Sequence, residues 1–203
     1  MGSLLTKKKN RKKTKEKPKS PQKEKKEIKI PLNSIKLGCL GESQVGKTSI
    51  CNSILGYDFG EFQTTIGTNK IEKKLHLNNG KEVKIILWDT AGQERFRSAV
   101  FQTVKNVDGI ILVFDVTNKK SFDNLGRWLP EIKEKCSRTP VTILFGNKVD
   151  IGEDRREVSR EEIDTFVKVN NLLYFEISAK NRTGIDDGVS YLANAIYNKY
   201  EEK

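Results

Sequence analysis

Cysteine is scarce in this 203-residue sequence: Cys39, Cys51 and Cys136 are the whole set. An odd, unclustered trio makes neither a disulfide framework nor a zinc site, and it fits a reducing cytosol or nucleus. Long apolar runs are missing too, and none approaches the ~18 residues of a membrane span. The N-terminus is basic but has no apolar stretch behind it, so it does not read as a secretory signal. Hydrophobic residues are only 35% of the chain, and the shortfall is local. Before Ile28 there is no aromatic residue, and the apolar ones are Met1, Leu4, Leu5 and two prolines. Such a segment buries too little surface to offset its chain entropy. Residues 1–31 are therefore expected to be a disordered arm and 32–203 one domain, as the length suits.

Charge divides the chain at the same place. Residues 1–27 hold twelve Lys/Arg against Glu16, Glu24 and Glu27, a net +9 of the chain's +11. The remaining 176 residues hold about +2. A basic arm suits an anionic membrane surface. With no aromatics to stack on bases, nucleic acid is not the expected partner.

Past the arm, short β-branched runs alternate with helical spacing. Ile35–Leu40, Ile110–Phe114 and Val141–Phe145 read as buried parallel strands. Lys70–Leu77 and Glu82–Trp88 flank Asn78-Asn79-Gly80, a hairpin turn. Leu173–Ile177 reads as a last strand. Helices are expected over Lys47–Leu55, over Ser121–Cys136, from Ser159 with Glu162 as a capping box, and over Ile185–Tyr200. The alternation predicts an α/β fold, a mostly parallel sheet of six strands with helices on both faces. Its ligands should sit at the carboxyl ends of the strands.

The motifs fall at those ends. Gly41-Glu42-Ser43-Gln44-Val45-Gly46-Lys47-Thr48 matches G-x-x-x-x-G-K-[ST] between a strand and a helix, with Ser49 next inside the helix. Phosphate there would be cradled by backbone N–H groups at a helix N-terminus. Lys47 would charge-pair the β- and γ-phosphates, and the Thr48 hydroxyl would ligate Mg²⁺. Asp89 ends the apolar strand Ile85-Ile86-Leu87-Trp88, where a carboxylate serves the same ion. Asn147-Lys148-Val149-Asp150 and Ser178-Ala179-Lys180 follow two later strands. Asp150 can accept two hydrogen bonds from guanine; adenine would leave it unpaired, a discrimination of ~10⁴-fold or more. A small residue at Ala179 lets a backbone N–H reach the guanine carbonyl.

With these residues assembled, positions 35–200 resemble a Ras-superfamily small GTPase, a P-loop G domain. Trp88-Asp89-Thr90-Ala91-Gly92-Gln93-Glu94-Arg95-Phe96 resembles the second switch segment of the Rab branch, and Phe114-Asp115-Val116-Thr117 is similarly Rab-like. The resemblance implies GTP and GDP as ligands with Mg²⁺, and slow GTP hydrolysis stimulated by an activating protein. It implies that Thr65, in Thr65-Ile66-Gly67, joins Mg²⁺ and the γ-phosphate, that Gly92 gives its N–H to the γ-phosphate, and that Gln93 orients the attacking water. Phe59 would flank the guanine, Asn147 contact it, and Lys148 lie over it. Arg95 and Arg97 would be exposed contacts for solvent or partners. Effectors, an exchange factor and an activating protein are the implied partners of a monomeric, cytoplasmic protein peripheral to an intracellular membrane. Another Ras-superfamily branch, in signalling or in nuclear or RNA-associated work, and a GTP-bound scaffold with negligible turnover are the alternatives.

Some positions depart from the Rab pattern. Lys70 stands where Rabs place an aromatic, Thr103-Val104-Lys105-Asn106-Val107 replaces an aromatic-rich stretch, and Gln44 is a large residue for its loop. No cysteine follows Cys136, so Rab-type C-terminal prenylation has no acceptor in this sequence. Met1-Gly2-Ser3-Leu4-Leu5-Thr6 instead matches the N-myristoylation pattern. One such chain binds membranes with K on the order of 10⁴ M⁻¹, and the basic arm is the expected second signal.

Overall fold

Strand β1 (Ser34–Gly41), β4 (Gly109–Asp115) and β5 (Val141–Asn147) form the centre of one sheet because their runs are apolar on both faces. All seven residues of β4 are buried. The computed structural model describes residues 33–60, 65 and 67–201, with only the backbone of Glu94. The expected arm and the Gly2 motif lie outside the described residues.

Strands β2 (Thr68–His76), β3 (Glu82–Thr90) and β6 (Leu173–Glu176) complete the sheet, in the order β2-β3-β1-β4-β5-β6. Only the β2–β3 pair is antiparallel. Its hairpin closes where the Asn-Gly signal lies: Gly80 N–H donates to Leu77 C=O at 2.9 Å. The six-stranded α/β expectation holds.

Side chains alternating across each strand feed two cores. Ile111 and Val113 of β4 join the core under α1 (Lys47–Leu55) and α6 (Ile185–Glu201), with Ile50, Leu192 and Ile196. Ile110, Leu112 and Phe114 join the opposite core under α2 (Arg97–Val104), α4 (Leu125–Lys135) and α5 (Arg160–Asn170), with Val104, Trp128 and Ile163. The Ser159–Glu162 capping box opens α5 as expected, with Ser159 N–H donating to Glu162 Oε2 at 3.0 Å.

Two expectations change. The helix expected over Ser121–Cys136 is two helices, α3 (Lys119–Asp123) and α4, meeting at Asn124. Asn118 caps the first, accepting Ser121 N–H at 3.2 Å, so the turn starts earlier than apolar spacing alone suggested. Helix α2 was not legible: it is eight residues long and has no side-chain N-cap. It holds its place by burying Val100, Phe101 and Val104. Among the described residues, no helix is long and apolar enough to cross a membrane.

Candidate functional site

The loop between β1 and α1 turns sharply at Gly46, whose φ of 97° suits glycine. A Cβ there would lie 2.3 Å from Asn147 Nδ2, so the position excludes side chains on steric grounds as well. Lys47 opens α1 and is buried. Its Nζ donates to Gly41 C=O at 3.1 Å and Glu42 C=O at 2.7 Å. Burial lowers its pKa, with Asp89 among the groups opposing that fall. The ammonium is thus folded back over its own loop at the helix N-terminus, where an anion gains most from it.

Three oxygen side chains meet beside it. Thr48 Oγ1 donates to Asp89 Oδ2 at 2.7 Å, and the Thr48 and Thr65 hydroxyls lie 2.8 Å apart. Thr65 Oγ1 also reaches Asp89 Oδ2, at 3.4 Å. Asp89 is 2% exposed, and its Oδ1 is buried with no hydrogen-bond partner among the described residues. Burial raises its pKa, with the threonine hydroxyls and Lys47 pulling the other way. A buried carboxylate with an orphaned oxygen beside two hydroxyls is a hard-oxygen donor set, and Mg²⁺ fits it.

At the far end, β5 and β6 deliver their loops side by side. Asp150 Oδ1 accepts from Ser178 Oγ at 2.5 Å, which fixes the carboxylate's orientation. Asn147 was expected on a base. Here its Nδ2 donates to Val45 C=O at 2.8 Å and its Oδ1 accepts from Ala179 N–H at 3.0 Å. It is a buried strut between the phosphate loop and the Ser178–Lys180 loop, holding the two loops side by side at the cleft. Lys148 has left-handed backbone (φ 73°) and pairs with buried Asp115 at 2.6 Å. Asp115 Oδ1 accepts from the N–H and hydroxyl of Thr117.

These ends share one cleft of about 550 Å³. It is lined by every expected residue except Gly41, Glu42, Val45, Asp89, Ser178 and Gln93. The first five stand behind the wall, in the contacts just described. Gln93 begins a short turn, its carbonyl accepting Phe96 N–H at 3.0 Å. Phe59, 54% exposed, stands at the rim.

Sequence reasoning missed Gly60, Thr90 and Ile151, which also line the cleft. Thr90 could have been found, since it follows Asp89 at the strand end. Ile151 is brought there by a 3₁₀ turn that carries no sequence signal. Arg97 needs correction. Arg95 is exposed as expected, but Arg97 has 17% of its side chain exposed and lies over the Trp128 ring, 4.0 Å from its centroid.

The sequence model of the Ras family matches residues 36–198. The chain is 41% identical to Ras-related protein Rab-10 of Caenorhabditis elegans over 165 residues, 81% of each chain. Ras-related protein Rab-13 of Rattus norvegicus is 38% identical over 164 residues, 79% of each. Ras-related protein Rab-8B of Pongo abelii is 37% identical over 171 residues, 83% of this chain and 81% of its own.

Proposed function

The chain belongs to the Ras family, as a Rab-like small GTPase that hydrolyses GTP, and from that premise we propose which residues do the work and where the switch acts. The observation that carries the assignment is the single cleft joining Lys47 and the Thr48–Thr65–Asp89 oxygens at one end to Asp150 at the other. Its ends suit a triphosphate and a guanine. Asp150, oriented by Ser178, selects guanine through its paired donors. Lys47 moves from the loop carbonyls to the β- and γ-phosphates. Thr48, Thr65 and Asp89 would hold Mg²⁺, which when bound neutralises charge on the phosphates. Gly92 and Thr65 engage the γ-phosphate, so both segments are anchored to it while it is present and released from it on hydrolysis. Gln93 swings in with that ordering to orient water.

The test is nucleotide affinity with Asp150→Asn. Wild type should prefer GDP and GTP over ATP by several orders of magnitude. Asp150→Asn should lose most of that guanine affinity, ~10³-fold or more, because the variant presents a donor to a donor. A variant that still prefers guanine strongly would remove Asp150 from the base.

The wider role proposed is vesicle traffic at the cytosolic face of an intracellular membrane. A monomer would recruit effectors in its GTP state, under an exchange factor and an activating protein. Rab-named relatives support it. Residues 1–31 would serve as a separate arm, Gly2 myristoylation and the basic run together anchoring it. Co-expression with an N-myristoyltransferase should add a myristate-sized mass and give pelleting on acidic liposomes, both lost in Gly2→Ala. Pelleting that ignores Gly2 would leave the basic run alone responsible.

A further inference from the structure

Three segments that no motif links meet around Trp128 of α4, which is 3% exposed. Its Nε1–H donates to Glu42 Oε1 in the phosphate loop at 3.0 Å. Arg97, first residue of α2, lays its guanidinium on the indole and pairs with Glu131 at 3.0 Å. Arg97 Nε and Nη2 are both buried without a hydrogen-bond partner among the described residues, so the indole face and the opposite charge of Glu131, not a hydrogen bond, keep the guanidinium there. One turn on, Phe101 packs on the same indole, centroids 5.9 Å apart.

Glu42 faces the site with its main chain. Its carbonyl accepts Lys47 Nζ at 2.7 Å, and a Cβ built on Gly92 would come within 2.4 Å of that oxygen. The Gly92–Arg97 segment is therefore gripped twice. Gly92 lies against the Glu42 carbonyl, and Arg97 lies against the indole that holds the Glu42 side chain. Gln93 sits between the two grips. We propose that Trp128 is a positioning residue for GTP hydrolysis, setting Gln93 by fixing Glu42 and Arg97 to one ring. The idea rests on the GTPase assignment above. A misplacement of Gln93 by about 1 Å is enough to slow an oriented reaction ~100-fold.

The experiment compares single-turnover GTP hydrolysis and GDP dissociation in full-length wild type, Trp128→Phe, Glu42→Ala and the double variant. Trp128→Phe keeps a ring for Arg97 and Phe101 but removes the N–H. Hydrolysis should fall about 10- to 100-fold, while GDP dissociation changes far less. The double variant should match the slower single variant, because both changes remove one bond. Arg97→Lys keeps the charge for Glu131 and loses the planar stack, and it should also slow hydrolysis selectively. It stands in if Trp128→Phe fails to fold. Wild-type hydrolysis in Trp128→Phe, equal factors on hydrolysis and dissociation, or effects that multiply in the double variant would each overturn the proposal. A wild type that binds GTP without turnover overturns the GTPase assignment itself, and this inference with it.

Discussion

Replacing Asn147 with Ala tests the strut between the two halves of the cleft. Asn147 is 2% exposed, and both polar atoms of its amide are on buried backbone. The substitution strands the Val45 carbonyl and the Ala179 N–H, residues only 1% and 5% exposed. Each orphaned group costs about 1–3 kcal/mol, so the pair costs about 2–6 kcal/mol. That is a large share of the ~5–15 kcal/mol that holds a domain of this kind together. With a urea m-value of about 2 kcal/mol/M, the unfolding midpoint should drop by ~1–3 M. The assay is urea unfolding at two saturating GDP concentrations, so that the ligand's own contribution can be subtracted. Asn147→Asp is the informative companion. It keeps an acceptor for Ala179 N–H but sets a carboxylate against the Val45 carbonyl, so it should be no better than Ala. An Asn147→Ala midpoint within a few tenths of a molar of wild type, at unchanged m, would refute the strut.

Gly92→Ala should slow GTP hydrolysis while sparing GDP binding, because the new Cβ would sit 2.4 Å from the Glu42 carbonyl oxygen and push the segment off the phosphate loop, where Gly92 is proposed to meet the γ-phosphate. Hydrolysis near the wild-type rate would show that the segment shifts freely. Glu162 bears on acid stability. Hydrogen bonding from Lys119, and then from Ser159, holds its pKa down from 4.5 to about 2. A depressed carboxylate stabilises the fold above its unfolded pKa, and that contribution fades as pH falls from 4.5 toward about 2. Glu162→Gln should flatten that part of the stability–pH curve, modestly since the pair is exposed and salt-screened. An unchanged slope there would count against the assignment.

The chemistry of this protein was written in short contiguous words. The phosphate loop needs consecutive N–H groups at a helix start, and Asp89, Asp150 and Ala179 each end or follow a strand. Local sequence therefore carried the residues of the candidate cleft and the α/β class, because short β-branched runs alternating with helical spacing suit the buried strands of such a sheet. The hairpin and the α5 capping box were equally local, set by Asn-Gly and by Ser159 with Glu162. What tertiary structure alone decided were contacts between residues far apart in the chain. Asn147 became a strut because two loops from different strands converge on it, 102 residues from Val45 and 32 from Ala179. Arg97 looked like a solvent-facing switch arginine, yet it is covered because α4 presents an indole across from it. Helix α2 has too few apolar positions to announce itself and exists because β1 and α4 offer a surface to bury them. Spacing along the chain fixes which groups can act. Only packing fixes which of them are already bound to one another.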